Sequence, residues 1–132
     1  MRLAGKTAVV TGGGAGMGEA VAKAYAREGA NVVVADINVG NGEATVAAIR
    51  AASGAATFAH ADVASTTDVQ TMVQTAMDTY GEIDILYNNA AVQLHFQDAR
   101  AHELSEEIWD RTYAINIRGV WLCAKYTWLW HR

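Results

Sequence analysis

A diphosphate can be held by bare backbone where N–H groups converge on it, no Cβ intervenes and the start of a helix stands behind it. The segment Thr11-Gly12-Gly13-Gly14-Ala15-Gly16-Met17-Gly18 offers these conditions between a short apolar run and an amphipathic stretch. Gly12, Gly16 and Gly18 permit a tight turn, close approach of a ligand and tight packing of helix on strand. The spacing is T-G-x-x-x-G-x-G, not the G-x-G-x-x-G of the dinucleotide fingerprint. Asp36 closes the run Val32-Val33-Val34-Ala35-Asp36. A carboxylate there accepts hydrogen bonds from both hydroxyls of an adenosine ribose and repels a 2′-phosphate. No Arg or Lys stands at Gly13, Gly14 or Ile37 to neutralise that phosphate, so the pattern favours NAD over NADP. Two plainer readings stand beside these: a glycine turn without a ligand, and an Asp36 that only caps a turn. The strand–turn–helix context weighs for the ligand.

Such groups need a scaffold. Short, Val- and Ile-rich runs at Thr7–Thr11, Asn31–Asp36, Thr57–Asp62 and Ile83–Asn89 read as strands buried on both faces. Amphipathic segments alternate with them near Gly16–Glu28, Glu43–Ala52, Ser65–Tyr80 and Ser105–Trp130. Ser65 and Asp68 resemble a capping box, Ser105 reads as an N-cap, and Gly29 and Gly81 sit where helices should stop. The alternation predicts one α/β domain over residues 1–132. Its expected core is a doubly wound, Rossmann-like parallel sheet of about four strands with right-handed crossovers, followed by a long helix. The stretch Ala90–Leu104 has no steady period and leaves a strand's C-terminal end, the edge at which open α/β sheets bind ligands.

Composition closes off other classes. The chain has 132 residues, 52% hydrophobic and 18% charged, which suits one globular domain. A net charge of −4 with dispersed cations offers no phosphate-backbone stripe, so nucleic acid is not an expected partner. The sequence holds no membrane-spanning run and no signal-peptide pattern, and Cys123 is its single cysteine, all of which point to a cytoplasmic protein. His60, His95, His102 and His131 lack metal-ligand spacing, and Cys123 reads as core filler. Twelve glycines and no proline hint that later loops are missing.

Taken together, the glycine turn and four further segments resemble the N-terminal part of the short-chain dehydrogenase/reductase family, over residues 5 to about 126. The resemblance implies an NAD site formed by Gly12, Gly14, Gly16, Met17, Gly18 and Asp36. Asp62-Val63 would meet the adenine, although an Asp starting a turn is as well read as a local cap. Asn88-Asn89-Ala90-Ala91 is similar to the family's N-N-A-G, with Ala91 in place of the glycine. Asn89 and Ala90 would line the cofactor through their backbone, and Asn88 would tie neighbouring strands together. Asn116, an uncomfortable helix-interior residue, falls where the family holds a water in its proton relay; an ordinary helix asparagine is the alternative. The implied activity is hydride transfer between NAD(H) and a small alcohol or ketone.

That activity also needs a tyrosine with a lysine four residues later on the same helical face. The residues four beyond Tyr25, Tyr80, Tyr87, Tyr113 and Tyr126 are Gly29, Asp84, Ala91, Ile117 and Trp130, and none is lysine. The expectation is therefore a catalytically incomplete chain, truncated before a fifth strand, with an atypical tail at 127–132. The alternative is a non-catalytic nucleotide-binding or interaction module. Truncation would leave Ile83–Asn89 as an unpaired apolar edge. It would also leave the stripe Ile108, Ile115 and Leu122 without cover, inviting self-association through the last helix.

Overall fold

The computed structural model describes residues 1–92 and 97–129. Four strands, β1 (Thr7–Thr11), β2 (Asn31–Asp36), β3 (Ala55–His60) and β4 (Ile85–Tyr87), form one parallel sheet in the order β3-β2-β1-β4. The chain winds outward from β1 through β2 to β3, then crosses to the other side for β4. The order reverses at β1, so a crevice opens beyond the carboxyl ends of β1 and β4.

Helices α1 (Gly16–Arg27) and α2 (Val39–Ala51) cover one face around Val10, Val32, Val34, Val46 and Ile49. Helix α3 (Thr66–Tyr80) and the last helical segment cover the other, around Val9, Val33, Val69, Met72 and Leu122. The three central residues of β1 and of β2 are fully buried, which is why both strands read as unbroken apolar runs. The Rossmann-like α/β expectation holds.

Element ends differ from the sequence reading for local reasons. Strand β3 starts at Ala55 rather than Thr57, because Ala55 is already in register with Asn31. Ala61 and Asp62 lie beyond β3, where the Ala61 N–H reaches the Asp36 carbonyl. Helix α2 starts at Val39, four residues early. Asn38 caps it through Oδ1 and the Asn41 N–H, and Gly42 lies so close to Phe58 that a Cβ would strike the ring. Packing overrides the poor helix propensity of Val39-Gly40-Asn41-Gly42.

Strand β4 keeps only three residues. Asp84 instead clasps Thr7, its carboxylate accepting the Thr7 N–H while its own N–H donates to the Thr7 carbonyl. The predicted single last helix is three pieces: α4 (Glu106–Tyr113), a π-helical turn (Ala114–Arg118) and α5 (Gly119–Trp128).

Caps follow the sequence more closely. Ser105 accepts the Ile108 N–H, and Gly81 takes a left-handed conformation after α3. Ser65 accepts the Asp68 N–H, but the reciprocal arm goes elsewhere: the Asp68 carboxylate takes the Asp62 N–H. The predicted capping box thus ties α3 to the loop after β3.

The stripe Ile108, Ile115 and Leu122 is not open. Ile115 and Leu122 lie in the core with Cys123, and Ile108 is half-buried. The exposed face of these helices carries Trp109, Tyr113, Ile117 and Trp121 instead. Trp130 and His131, in the atypical tail, and His95 lie outside the described residues.

Candidate functional site

The crevice at the switch point starts with Thr11, the last residue of β1, whose side chain is 1% exposed. Its hydroxyl oxygen accepts the N–H groups of Asn89 and Ala90, both at 3.0 Å, and donates to the Tyr87 carbonyl at 3.4 Å. One hydroxyl therefore fastens the segment after β4 to the end of β1. The Asn89 amide adds a second fastening by donating to the Gly12 carbonyl at 3.2 Å. Asn88, expected to tie strands, donates to the Val120 carbonyl of α5 at 3.5 Å; the tying falls to Thr11 and Asn89.

Each glycine of the turn has its own duty. Gly12 takes φ +65° and faces the Asn89 amide, which a Cβ would approach to 2.9 Å. Gly16 takes φ +56° at the mouth of the turn, with open space where a Cβ would sit. Gly18 is buried, and its Cβ would overlap the Gly12 carbonyl oxygen. Gly14 sits beside Asp36. It is buried against α2, its Cβ would meet Asp36 Oδ2 at 2.7 Å, and its N–H donates to that oxygen at 2.9 Å. Its part in the site is to hold Asp36. Met17 is 74% exposed on the first turn of α1.

Helix α1 differs from its neighbours at its start. Asn38, Ser65 and Ser105 cap α2, α3 and α4 through their side chains, whereas the N-cap of α1 is Ala15 and no side chain caps it. Ala15, Gly16 and Met17 are all exposed. Uncapped N–H groups and the positive end of the helix dipole thus face the crevice without a Cβ at Gly16, which is what an oxygen-rich anion requires.

Asp36 is half-buried at the end of β2, accepting from Gly14 N through Oδ2 and from Asn38 N through Oδ1, both at 2.9 Å. Each carboxylate oxygen can accept twice, so one lone pair on each stays available for a ribose hydroxyl. Asp62 accepts the Ala64 N–H at 3.0 Å, so it is a local cap, with its second oxygen left over. Val63 is buried beneath it.

Asn116, in the π turn, makes a paired contact with Val92: Oδ1 accepts the Val92 N–H and Nδ2 donates to the Val92 carbonyl, both at 2.8 Å. A π turn is a common device for aiming a side chain at a site.

The resulting cleft holds about 300 Å³ and is walled by Gly12, Asp36, Asp62, Val63, Asn89 and Ala90, with Arg111 and Ile115 from the last helices. A larger hollow of about 580 Å³ adjoins it through Ala91 and Val92, between Leu104, Ile108, Trp109 and Thr112. Of the residues singled out in the sequence, Gly12, Asp36, Asp62, Val63, Asn89 and Ala90 line the cleft, Gly16, Met17 and Gly18 form the start of α1, Gly14 contacts Asp36, and Asn116 lines the neighbouring hollow. Thr11 and Arg111 went unnoticed as site residues. Thr11 could have been found as the fixed first letter of the glycine pattern, but Arg111 carries no motif. Among the described residues no group of three or more metal-ligating side chains gathers, and no helix is long and apolar enough to cross a membrane.

A glycine-floored, uncapped helix start beside a strand-end carboxylate defines a dinucleotide-type cleft on a doubly wound sheet. Residues 6–128 match the short chain dehydrogenase family, and the chain belongs to it. It is 42% identical over 125 residues to an uncharacterized oxidoreductase of Bacillus subtilis (strain 168), covering 95% of this chain and 45% of that protein. It is 44% identical over 119 residues to the sorbitol dehydrogenase of Cereibacter sphaeroides, covering 90% and 44%. The fold superposes on a mutant short-chain dehydrogenase/reductase of Serratia marcescens with a TM-score of 0.94 at 32% identity, over 100% of this chain and 53% of that one. On the hydroxysteroid dehydrogenase of Escherichia coli the TM-score is 0.88 at 30% identity, over 96% and 52%. The chain thus spans about half the length of the relatives it matches.

Proposed function

We propose that residues 1–132 form the cofactor-holding part of an oxidoreductase and bind NAD(H) in preference to NADP(H). The observation that carries this reading is the bare, uncapped start of α1 facing a cleft that also holds Asp36. The diphosphate would lie on the N–H groups of Gly16 and Met17, floored by Gly12 and Gly18. Asp36 would take the adenosine ribose hydroxyls, Asp62 and Val63 would border the adenine, and Asn89 and Ala90 the nicotinamide ribose. A 2′-phosphate on that ribose would meet the Asp36 carboxylate, and like charges at contact repel.

The bound nicotinamide supplies or takes the hydride, so the reaction class is interconversion of an alcohol and a ketone, in keeping with the sorbitol dehydrogenase among the relatives. This chain's own residues position: Thr11 and Asn89 fix the cleft wall, and Asn116 holds Val92 while keeping one N–H and one lone pair for a water. No Tyr-x-x-x-Lys occurs in the 132 residues, so no group here delivers the proton to the developing alkoxide. A second reading, a nucleotide-binding module without turnover, rests on the same cleft.

Titration of the purified chain tests the proposal. NADH should bind, and NADPH should bind at least about tenfold more weakly, since one repulsive contact worth ~1.4 kcal/mol gives that factor. Asp36→Asn should narrow the gap. Tighter binding of NADPH, or no binding of either, would overturn the assignment. NADH oxidation with a panel of ketones separates the two readings, and turnover above background would refute catalytic incompleteness.

A further inference from the structure

The cleft that receives the proposed cofactor is lined by two carboxylates, Asp36 and Asp62, and by one cation, Arg111. Arg111 lies in the last turn of α4, four residues before Ile115, and both residues line the cleft. Other arginines near the sheet edges are tied down. Arg50 donates to the Ala56 carbonyl, and Arg118 donates to the Ala64 carbonyl and the Thr66 hydroxyl. The Arg111 guanidinium has no hydrogen bond or ion pair among the described residues, although Asp62 borders the same cavity. It is an exposed planar cation lining a cleft that also has apolar walls: Val63 is buried, and Ile37 is 56% exposed although it is a large aliphatic side chain.

A guanidinium plane and an exposed aliphatic side chain bordering one slot suit a flat, uncharged aromatic ring. Guanidinium stacks on π faces and gives up hydration more readily than an ammonium, and the aliphatic partner loses water at the same time. Within the dinucleotide, the ring beside Asp36 is the adenine, because Asp36 takes the ribose that bears it. We infer that Arg111 is an adenine-binding residue, its guanidinium lying against the base. This rests on the proposed placement of NAD(H). It adds a contact that would select the adenosine half of the cofactor independently of the diphosphate.

The test separates base from phosphate. The chain, Arg111→Ala and Arg111→Lys are titrated with NADH, with reduced nicotinamide mononucleotide, which lacks the adenosine half, and with adenosine, which lacks phosphate, the last by competition against NADH. Arg111→Ala should weaken NADH and adenosine by a common factor of roughly 3- to 10-fold, the range a guanidinium over a π face provides, and leave the mononucleotide unchanged. Arg111→Lys, which keeps the charge and loses the plane, should recover only part of that loss. Circular dichroism melts establish that both variants fold, as expected for an exposed helix position. An equal loss on NADH and the mononucleotide, full recovery by lysine, or no loss at all would overturn the role of Arg111 while the NAD(H) assignment stood. Failure of the unaltered chain to bind NADH would remove both.

Discussion

A hydroxyl with three partners does more here than any charged group. Thr11 Oγ1 takes two N–H groups from the segment after β4 and gives its own proton to Tyr87, so valine at this position would leave those part-buried donors without their protein partner. Leaving buried donors without partners costs ~1–3 kcal/mol each. Cys123 shows the opposite case, a polarizable group with nothing to do but fill space. It is fully buried in the core, and burial pushes its thiol pKa up to about 12. Because the thiolate is the nucleophile, roughly one folded molecule in ten thousand would carry it at pH 8. Iodoacetamide should therefore label the native chain only as fast as α5 opens, and at the rate of a free cysteine once urea unfolds it. The sign for stability follows. Below the ordinary thiol pKa of roughly 8.5 both states keep the proton and nothing changes. Above it the unfolded chain loses its proton first, so stability falls as pH rises toward about 12. Cys123→Ala should remove that slope from urea midpoints measured between pH 8 and 10, and native-state labelling at the free-cysteine rate would mean that α5 is not docked.

Among the elements, the π turn at Ala114–Arg118 has the clearest consequence. It aims Asn116 at the backbone of Val92, and two bonds of 2.8 Å hold the segment leaving β4 against the last helices. Asn116→Ala removes both and should cost ~1–3 kcal/mol. The Val92 amide should exchange with deuterium faster, while amides of β1 and β2 keep their protection relative to global unfolding. Unchanged protection at Val92 would show that the segment is held by something else. Neither the turn nor the bond was legible in the sequence, because a π turn has no periodicity of its own and Asn116–Val92 is a long-range contact. What could be read were features encoded within a few residues. The bounds of β1 and β2 follow from continuous apolar runs, the stops at Gly29 and Gly81 from positive φ, and the caps at Ser65 and Ser105 from side-chain chemistry. The start of α2 was hidden because Gly40 and Gly42 argue against a helix until Phe58 packs on Gly42. Most of the candidate site was visible for the same reason that β1 was, since Gly12 to Asp36 lie within one strand–helix–strand unit. The contact of Gly14 with Asp36 and α2 shows only in the folded chain, and Arg111 was missed because it is contributed by an element 75 residues beyond Asp36.

At the scale of the molecule, two surfaces remain to be covered, and they predict different behaviour. Among the described residues the outer edge of β4 has no neighbouring strand, but it is only three residues long, too short to offer another chain a full ladder of N–H and C=O groups. The last helices expose a longer apolar face, with Trp109, Tyr113, Ile117 and Trp121 spaced by four and between 49% and 61% exposed. A repeat of four drifts ~40° per step around a 3.6-residue turn, and the wider π turn between Tyr113 and Gly119 takes up part of that drift. Lys125 lies over the Trp121 ring at 5.0 Å and shields it only in part. Large apolar side chains exposed together on one face in this way drive association. Light scattering should therefore show a mass that rises with concentration, with the helix face as its source and the expected stripe through Ile115 and Leu122 contributing nothing, since those two residues are already buried. Ile117→Glu with Trp121→Glu places two charges in that face at exposed positions, and should return the chain to a single monomer mass with an unchanged circular dichroism spectrum. If association survived the two charges and disappeared instead when Leu86 in β4 was replaced by proline, the sheet edge would be the interface and the helix face a bystander.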